Sequence, residues 1–598
     1  MRRIFFVWTA LILFFGAALS AQSVDPDFDA PMPLIFSGDS ALAARMTPDQ
    51  RARQYLTAEK ILWQTGTMER EGELLEKPLG QTSTSEMTGG FYIKKDVGAE
   101  SAILLDFGAE IHGGVRLEAR NLTSTPESVG KSVRVRVRLG ESADEAMAEM
   151  GEKGAVNEHS TRDMIVNVPW LGAIEFGESA FRFVRIDLID DGSEIWFDSI
   201  RAVFVYRPIS QPGNFCCSDE RLNAIWRTCA RTQFLTMQGF IFEGAKRDRL
   251  VWYGDFHPQL STTLALFGAP VVLKETLGDY ARSVFPLPKW MNGMPNYSLW
   301  WVMSVGDLYR WSGDTAWLAE QADYLHGLFE QLKSSVADDG HARFDHPFLD
   351  WPTNDKPEAL DAGTHALFAL AFDRFAALFA ALGDTDGQRQ AEELAKKVRS
   401  FTPDNVANKQ AASLMALAKI ENPSKPNTPV VAKNGGEGFS TFYGYYMLEA
   451  LAAGGENQLA LDVIRQYWGA MLDVGATTFW EDFDLAWLEN AGRIDQITPE
   501  GKESLHGDRG AYCYIGLRHS LCHGWASGPA AWLTAHVLGV APTSDGYATA
   551  KIEPFLGDLQ WAEGDVPTPR GVIHVRHEKT ADGTILTTVE KPDEISIP

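Results

Sequence analysis

Cysteine is scarce in this sequence. Five cysteines occur in 598 residues, two of them adjacent at Cys216 and Cys217. No Cys-x-x-Cys pair and no His/Cys spacing typical of a metal site is present, and an odd number leaves at least one thiol outside any intramolecular disulfide. We therefore expect the cysteines to be small buried side chains, and the stability to come from core burial instead of a disulfide framework.

Basic residues are also in short supply. The sequence has 54 Lys and Arg against 80 Asp and Glu, which gives a net charge of −26 at pH 7. This charge would repel phosphate backbones and anionic lipid surfaces, so nucleic acid and membrane are unfavourable partners. Hydrophobic residues at 45% and charged residues at 22% are ordinary for a globular protein, and the length predicts several domains.

The N-terminus has one short apolar run. After it, we expect no stretch that is long and apolar enough to span a membrane. Arg2 and Arg3 precede an apolar stretch from Ile4 to Ala18, and a small-x-small site ends at Ser20. This pattern is typical of a secretory signal peptide over residues 1–21, and the run is short for a membrane-spanning helix. We expect export to the periplasm or the outside and no membrane association after cleavage; an uncleaved anchor is the alternative.

Several kinds of catalytic motif are missing. The sequence has no Gly-rich phosphate loop, no nucleophilic serine elbow and no cluster of metal ligands. The Asp-rich segment near Asp361 lacks the spacing of a calcium loop. We therefore expect no cofactor and no metal.

Residues 22–210 predict a β-rich N-terminal region. One helix is expected around Met46 to Trp63, and short segments that alternate or run apolar follow from about residue 90. Strict alternation from Val133 to Leu139 predicts a strand whose basic residues lie on a wet face. Short strands separated by turn residues favour a β-sandwich. A Pro-containing linker that begins at Arg207 ends this region.

In residues 211–540 the apolar side chains recur at the spacing of helices. In residues 541–598 they alternate with polar side chains again. About ten to twelve helices in antiparallel succession are expected, which favours a helical toroid built from hairpins. The last segment predicts a short C-terminal β-domain. The predicted fold is thus multidomain, and functional groups are expected in loops at one end of the toroid.

The stretch from Glu243 to Asp255 is the strongest chemical signal. It holds three carboxylates, two arginines, a lysine and a tryptophan, including Arg247, Asp248 and Trp252. Its end, Trp-Tyr-Gly-Asp, indicates a turn with an aromatic side chain beside a carboxylate. Carboxylates for proton transfer, cations to orient them and a flat aromatic suit a site that cleaves sugars. The alternative is a solvated cluster of salt bridges.

Further candidates lie downstream, among 18 tryptophans in total. Trp300 and Trp480 are candidates to contact a sugar face, although tryptophans of a large helical core are the alternative. Asp350 stands in a Pro-punctuated loop and is a candidate to bind a hydroxyl. His523 is a candidate sugar contact, and a core histidine bonded to a backbone carbonyl is equally compatible with the sequence.

The order of these pieces resembles glycoside hydrolase family 78, the bacterial α-L-rhamnosidases. The resemblance covers nearly the whole chain from about residue 90, and the order and spacing of its motifs are more specific than any one motif. It implies an (α/α)6 toroid of six helical hairpins. The motifs that carry it, besides the acidic stretch, are Leu105-Asp-Phe-Gly108, Phe215 to Trp226, Gly293 to Trp301, Trp311 to Asp314, Gly475 to Glu481, Ser520 to Ala530 and Pro567 to Ile573.

The resemblance also implies roles for the carboxylates. The family carries them at the first, sixth and thirteenth positions of the acidic stretch, where this chain has Glu243, Asp248 and Asp255. Asp248 then stands in the place of the general acid and Glu481 in that of the general base, with inversion at the anomeric carbon. The family usually has Asp first and Glu sixth, and this chain reverses the order. Asp is one methylene shorter than Glu, so Glu243 as the acid stays an open alternative.

Two other functions remain open on the sequence alone. A polysaccharide lyase also uses a helical toroid and would need a Tyr or His base. An inactive carbohydrate-binding protein is compatible with the reversed order of Glu243 and Asp248. A carbohydrate is the expected partner in each case, and the sequence predicts no oligomeric state.

Overall fold

The computed structural model describes residues 41, 44–47, 49–77, 89–404, 407–421, 427–511 and 514–598. The predicted signal peptide over residues 1–21 lies outside the described residues. Within them, a β-sheet region precedes a helical central segment, and a small β-region follows it. This order confirms the multidomain architecture expected from the sequence. The expected borders at residues 210 and 540 stay predictions.

Nine strands form the N-terminal sheet. They are β1 (Ala52–Thr57), β2 (Lys60–Thr65), β3 (Thr67–Glu69), β4 (Phe91–Lys94), β5 (Ala102–Thr123), β6 (Ser132–Gly140), β7 (Asp163–Pro169), β8 (Gly172–Leu188) and β9 (Glu194–Tyr206). Their order is β3-β4-β9-β5-β8-β6-β7, with β1 also paired to β9 and β2 to β5. Alternating apolar residues of these strands, such as Val135 and Val137, pack into one hydrophobic core.

The helix expected around Met46 to Trp63 is wrong. Residues of this segment form β1 and β2, which pair antiparallel with β9 and β5. Tyr55, Ile61 and Trp63 are side chains that suit a half-buried sheet, and the ladder hydrogen bonds of the neighbouring strands override the local helical spacing. The strand expected at Val133 to Leu139 is confirmed as β6.

Arg138 of β6 was expected to be exposed to solvent, but the structure shows otherwise. It is buried, and its guanidinium donates to both carboxylate oxygens of Asp187, at 2.9 and 3.0 Å. Arg134 and Arg136, on the same strand, are partly exposed and each is paired with an aspartate. The alternation therefore predicted the strand correctly, but the tertiary partner determined how far each arginine is buried.

The central segment is helical. Its α-helices are Glu220–Thr236, Tyr253–Phe267, Val271–Glu275, Ala281–Val284, Pro295–Ser312, Thr315–Lys333, Pro357–Ala381, Thr385–Arg399, Lys409–Leu417, Asn427–Ala432, Gly444–Ala453, Asn457–Val463, Gly469–Asp473 and Gly528–Trp532; one more, Ala143–Met147, follows β6. They enclose the largest hydrophobic cluster of the described residues, which contains Trp301, Trp468 and Trp532.

One helix, Pro357–Ala381, is long and apolar enough to cross a membrane by length and composition. The expectation that no segment after the N-terminus meets this criterion is therefore wrong. Of its most apolar window, 67% is buried against the rest of the protein. Phe372, Phe375 and Phe379 on this helix contact Phe329 of the preceding long helix, as expected for a core helix.

The C-terminal sheet includes a strand from the start of the helical segment. β10 (Asn214–Cys217) pairs with β13 (Trp561–Thr568), which continues to β14 (Gly571–Lys579) and β15 (Ile585–Glu590). The short strands β11 (Val540–Pro542) and β12 (Ala550–Ile552) pair separately. The two ends of the helical segment are thus tied together through this sheet.

The four described cysteines are free thiols. Cys217, Cys229 and Cys522 are buried, and Cys216 is partly buried. Burial raises the pKa of the Cys217 thiol to about 12, so it stays protonated. This agrees with the expected role as small buried side chains. Cys513 lies outside the described residues.

Candidate active site

The acidic stretch forms the loop between two helices. Glu220–Thr236 ends before it, and Tyr253–Phe267 begins after Trp252 and carries Asp255 in its first turn. The amide of Leu250 donates to Glu243 Oε2 at 2.9 Å, and the amide of Glu243 donates to the Leu250 carbonyl at 3.1 Å. These bonds close the loop.

The segment around His523 lies against this loop. The amide of Gly524 donates to the Glu243 carbonyl at 2.7 Å, and the amide of Ala245 donates to the Cys522 carbonyl at 3.0 Å. Two distant parts of the sequence thus share backbone hydrogen bonds, which brings His523 to the acidic stretch.

A cavity of about 190 Å³ lies at this junction. Seven of the ten site residues expected from the sequence line it, and five further residues complete the lining. The seven are Glu243, Arg247, Asp248, Trp252, Asp255, Glu481 and His523, and the five are Met294, Tyr297, Trp351, Tyr514 and Trp525. Its mixture of aromatic side chains with a few polar groups is typical of a small-molecule site.

Asp248 is the more exposed of the carboxylates in the acidic stretch, with 14% of its side chain accessible. The Tyr514 hydroxyl donates to its Oδ1 at 3.0 Å. The same oxygen lies 3.4 Å from Nε2 of His159, a residue of the N-terminal region. One oxygen of this carboxylate therefore has two polar neighbours.

Glu243 and Asp255 are buried, at 3% and 4% exposure. Burial, and then the charge of Asp248, raises the pKa of Glu243 well above its ordinary value. Burial, and then the charges of Glu481 and Asp248, raises that of Asp255, although a 2.9 Å hydrogen bond from Tyr297 opposes the shift. Both carboxyls hold protons more strongly than free side chains, as buried neighbouring acids do.

Glu481 reaches the cavity from a different loop. Its Oε2 accepts the amide hydrogen of Ser520 at 2.9 Å, and its own amide donates to the Ser520 carbonyl at 3.0 Å. Its carbonyl accepts from the Thr441 hydroxyl at 2.6 Å and from the Trp525 indole at 3.1 Å. Both side chain and backbone are therefore fixed.

Arg247 is buried, and none of its three guanidinium nitrogens has a hydrogen-bond partner among the described residues. Its guanidinium lies 3.5 Å from the centre of the Tyr514 ring, and Nη1 is 3.6 Å from Glu158 Oε2. Arg518 lies 4.3 Å from the centre of the same ring and is paired with Glu158. Arg247 thus carries buried donors that no described residue satisfies.

His523 is 3% exposed, and its ring lies 3.9 Å from the Trp525 ring. Burial, and then the charges of His519 and Arg247, lowers the pKa of His523 well below its ordinary value. The imidazole is therefore neutral at pH 7. Its Nδ1 is buried and has no hydrogen-bond partner among the described residues.

Asp350 lies in an adjoining depression that shares Trp351 and Glu481 with the cavity. Its Oδ2 accepts from Ser440 at 2.6 Å, and burial raises its pKa to about 6. Asp482 lines the same depression, and burial, followed by the charge of Asp350, raises its pKa to about 7. Asp482 was not among the sequence candidates.

Trp300 and Trp480 do not line the cavity or the depression, and each is 1% exposed. Trp300 stacks on Tyr446, with ring centres 4.6 Å apart, and Trp480 packs edge-on against Phe483 at 5.5 Å. Both positions are those of core tryptophans, because a sugar would have to displace these neighbours to reach either indole.

Tyr514 and Trp525 are the main cavity residues that the sequence did not single out. Trp525 stands two residues after His523, so its position was a usable signal. Tyr514 lies in a loop without periodicity, and its contact with Asp248 depends on the tertiary fold alone.

Among the described residues, one cluster has the geometry to hold a metal ion: Glu141, Glu145 and His506. The Lys246 ammonium already lies 3.0 Å from Glu141 and 3.1 Å from Glu145. His506 accepts or donates at both ring nitrogens, with Ser142 at 2.7 Å and the His519 carbonyl at 2.8 Å. Protein groups thus already occupy the coordination positions.

Comparisons with known proteins agree with this architecture. Residues 210–414 match the family model for the bacterial alpha-L-rhamnosidase 6 hairpin glycosidase domain, and residues 539–597 match the model for the bacterial alpha-L-rhamnosidase C-terminal domain. The "Alpha-L-rhamnosidase" of Alteromonas sp. (strain LOR) is 32% identical over 117 residues, which are 19% of this chain and 10% of that protein.

Solved structures share the fold. A family GH78 rhamnosidase of Bacillus sp. GL1 has a TM-score of 0.69 at 20% identity, over 85% of this chain and 54% of that one. A rhamnosidase from Klebsiella oxytoca with rhamnose bound has a TM-score of 0.62 at 17% identity, over 81% and 96%. The Streptomyces avermitilis α-L-rhamnosidase complexed with L-rhamnose has a TM-score of 0.63 at 18% identity, over 83% and 48%.

This chain spans about half the length of the Bacillus and Streptomyces proteins and matches a tenth of the Alteromonas protein. The two family models and the structural neighbours confirm the resemblance to the bacterial α-L-rhamnosidases. At these identities, the structures establish the fold.

Proposed function

We propose that this chain, which carries the six-hairpin glycosidase and C-terminal domains of the bacterial α-L-rhamnosidases, is an exported glycoside hydrolase. Its substrate is an oligo- or polysaccharide that ends in α-L-rhamnose or a closely related sugar. Export follows from the signal-like residues 1–21, to the periplasm or the outside. In this proposal the central helices close into an (α/α)6 toroid, and the N-terminal strands form a β-sandwich.

One observation carries the proposal: four carboxylates from two loops meet in one cavity. Glu243, Asp248 and Asp255 come from one loop and the following helix turn, and Glu481 comes from a loop more than two hundred residues away. Trp252 lines the same space, as do two other tryptophans. Facing carboxylates between aromatic walls are the groups that glycoside hydrolysis requires.

The proposed reaction gives one role to each of the two carboxylates. Asp248 donates a proton to the glycosidic oxygen, and the bond between this oxygen and the anomeric carbon breaks. Glu481 removes a proton from a water molecule, whose oxygen bonds to the anomeric carbon from the opposite face. The products are a free alcohol and a sugar of inverted configuration, and atoms and charge balance when Glu481 releases its proton and Asp248 regains one.

The two carboxylates have environments that suit these roles. Glu481 accepts an amide hydrogen bond from Ser520, which fixes the orientation of its carboxylate. Asp248 is accessible from the cavity and accepts a hydrogen bond from Tyr514. Arg247 and His523 would donate to or accept from sugar hydroxyls with their unpaired nitrogens.

Glu243 is the second candidate for the acid. Burial, and then the charge of Asp248, raises its pKa, which suits an acid, and its Oε1 has no hydrogen-bond partner among the described residues. Its lower exposure and its bond to the Leu250 amide favour a role in binding a hydroxyl or in tuning Asp248. We therefore assign proton donation to Asp248.

The test is a screen of p-nitrophenyl glycosides and rhamnose-containing polysaccharides with the purified protein. We expect free rhamnose, without the ultraviolet absorbance of an unsaturated product. An unsaturated product would identify a lyase instead. Binding of oligosaccharides without any hydrolysis after long incubation would identify a carbohydrate-binding protein.

A further inference from the structure

Lys246 lies in the acidic stretch, but its side chain enters a buried ionic cluster instead of the cavity. Its ammonium is 3.0 Å from Glu141 Oε2 and donates to Glu145 Oε1 at 3.1 Å. It also donates to the carbonyl oxygens of Leu517 and His519, at 3.2 and 2.7 Å. Lys246 is 5% exposed, so these four partners replace its hydration almost completely.

A second cation lies beside the glutamates of this cluster. Arg162 is 3% exposed, donates to the Glu145 carbonyl and lies 4.0 Å from a carboxylate oxygen of Glu145. Lys246 and Arg162 thus oppose Glu141 and Glu145. Burial, and then the charge of Glu141, raises the pKa of neighbouring Glu110 well above its ordinary value. Removal of the Lys246 charge would leave a buried carboxylate unpaired.

Glu141 connects the cluster to the second catalytic loop. Its Oε2 accepts from the Leu521 amide at 2.6 Å, and its Oε1 accepts from the Ser520 hydroxyl at 3.0 Å. Ser520 in turn donates its amide hydrogen to Glu481 Oε2 at 2.9 Å. Hydrogen bonds and ion pairs therefore run from Lys246 through Glu141 to Glu481.

The glutamates of the cluster belong to a firmly held part of the N-terminal region. Glu141 directly follows β6, and Glu145 lies in the helix Ala143–Met147, whose N-terminus is capped by the Ser142 hydroxyl. The amide of Glu141 donates to Glu145 Oε2 at 2.8 Å, which fixes the two carboxylates relative to each other. The cluster is thus a rigid point between two loops.

We propose that Lys246 is a positioning residue of the hydrolytic site. Its ammonium holds the loop that carries Asp248 against Glu141 and Glu145. Glu141 holds the loop that carries Glu481 through Ser520. The N-terminal sheet region thereby sets the separation of the two catalytic carboxylates, on which inversion depends. The inference rests on the proposed function for its consequence in catalysis, while the positioning itself is a statement about the fold.

Chemical rescue tests whether Lys246 acts on the site through its positive charge. The Lys246→Ala variant of the full-length protein should lose about a hundredfold in kcat on a rhamnosyl disaccharide, whose leaving group needs the proton of Asp248, because a displacement of about 1 Å between reacting groups has effects of this size. Added ethylammonium should occupy the space left by the lysine side chain and raise the kcat of this variant about tenfold. The Lys246→Met variant fills the space with an apolar chain, so it should be equally impaired and not rescued.

Hydrogen exchange measures the positioning without reference to activity. In Lys246→Ala, amides of residues 243–250 and 479–482 should exchange faster than in the wild type, and ethylammonium should reverse the change. The exposed pair of Lys551 and Glu553 in the C-terminal region supplies the control, since Lys551→Ala should alter neither exchange at these segments nor kcat.

The results separate this inference from the proposed function. Wild-type protein without activity on rhamnosides refutes the function, whereas the exchange measurement still decides on the positioning. Unchanged exchange in both segments, or a kcat of Lys246→Ala near that of the wild type, overturns the inference. If Lys246→Ala does not fold, Glu141→Gln keeps the side-chain size and removes one charge of the cluster. Faster exchange in residues 479–482 of that variant supports the inference, and wild-type exchange there overturns it.

Discussion

Tyr514 donates a 3.0 Å hydrogen bond to Oδ1 of Asp248, and the His159 imidazole lies 3.4 Å from the same oxygen. These two residues come from different regions of the chain, so the carboxylate is held by the assembled fold and not by its own loop alone. With Oδ1 engaged in this way, Oδ2 is the oxygen suited to carry the proton for the substrate.

Loss of the Tyr514 hydroxyl should impair turnover. We expect Tyr514→Phe to lower kcat by about tenfold or more, because a hydrogen bond to a charged group contributes roughly 1.5–3 kcal/mol. Tyr324→Phe is the matched control, since that hydroxyl donates at 2.8 Å to the Phe285 carbonyl, a partner outside the cavity. Steady-state kinetics of both variants provide the measurement, and equal kcat values in the two would contradict the role given to Tyr514.

Leaving groups of different acidity identify the acid. A p-nitrophenolate leaves without protonation, whereas a sugar alcohol needs a proton. Asp248→Asn should therefore keep much of its activity on p-nitrophenyl rhamnoside and lose about 10²–10⁴-fold on a rhamnosyl disaccharide. Glu243→Gln should affect the two substrates alike. The reverse pattern would transfer the role of acid to Glu243.

Removal of the proposed base should affect all substrates. Glu481→Gln keeps the size of the side chain but cannot accept a proton from water, so kcat should fall by about 10²–10⁴-fold for every leaving group. Thermal unfolding should show an intact fold. Glu489→Gln, an exposed residue of the same loop region, is the control for mutation in this segment. A Glu481→Gln enzyme with near-normal kcat would rule out Glu481 as the base.

The pH dependence of stability should report on Asp482. Its pKa is raised to about 7 in the folded protein, by burial first and then by the charge of Asp350. A carboxyl whose pKa is raised by folding stabilises the folded protein at pH values below its pKa in the unfolded chain. This contribution is lost as the pH rises through its pKa in the folded protein. The Tm of Asp482→Asn minus that of the wild type should therefore increase between about pH 4 and pH 7 and stay constant at higher pH. Asp386→Asn, on an exposed helix face, should show no such gain.

The sequence predicted much of the lining of this cavity because its candidate residues are concentrated in one stretch. Glu243, Arg247, Asp248, Trp252 and Asp255 are close in the chain, and the local turn and helix bring all of them to one cavity. The family register added the distant Glu481 and His523, which local patterns could not have joined to it.

The differences between the sequence predictions and the structure also have physical causes. The segment at Met46 to Trp63 forms strands because neighbouring strands offer it ladder hydrogen bonds, which no local spacing reveals. Trp300 was a site candidate by residue type alone, but its burial is decided by Tyr446, far along the chain. Tyr514 reaches Asp248 through tertiary packing, so no sequence period marks it.

The anomer first released from p-nitrophenyl α-L-rhamnopyranoside is the most direct test of the central claim. Proton NMR of the reaction with wild-type protein should show β-L-rhamnose first, followed by slow mutarotation to the α-form, because inversion converts an α-glycoside into a β-sugar. Appearance of α-L-rhamnose first would contradict the inverting mechanism, and the absence of any released rhamnose would contradict the proposed activity itself.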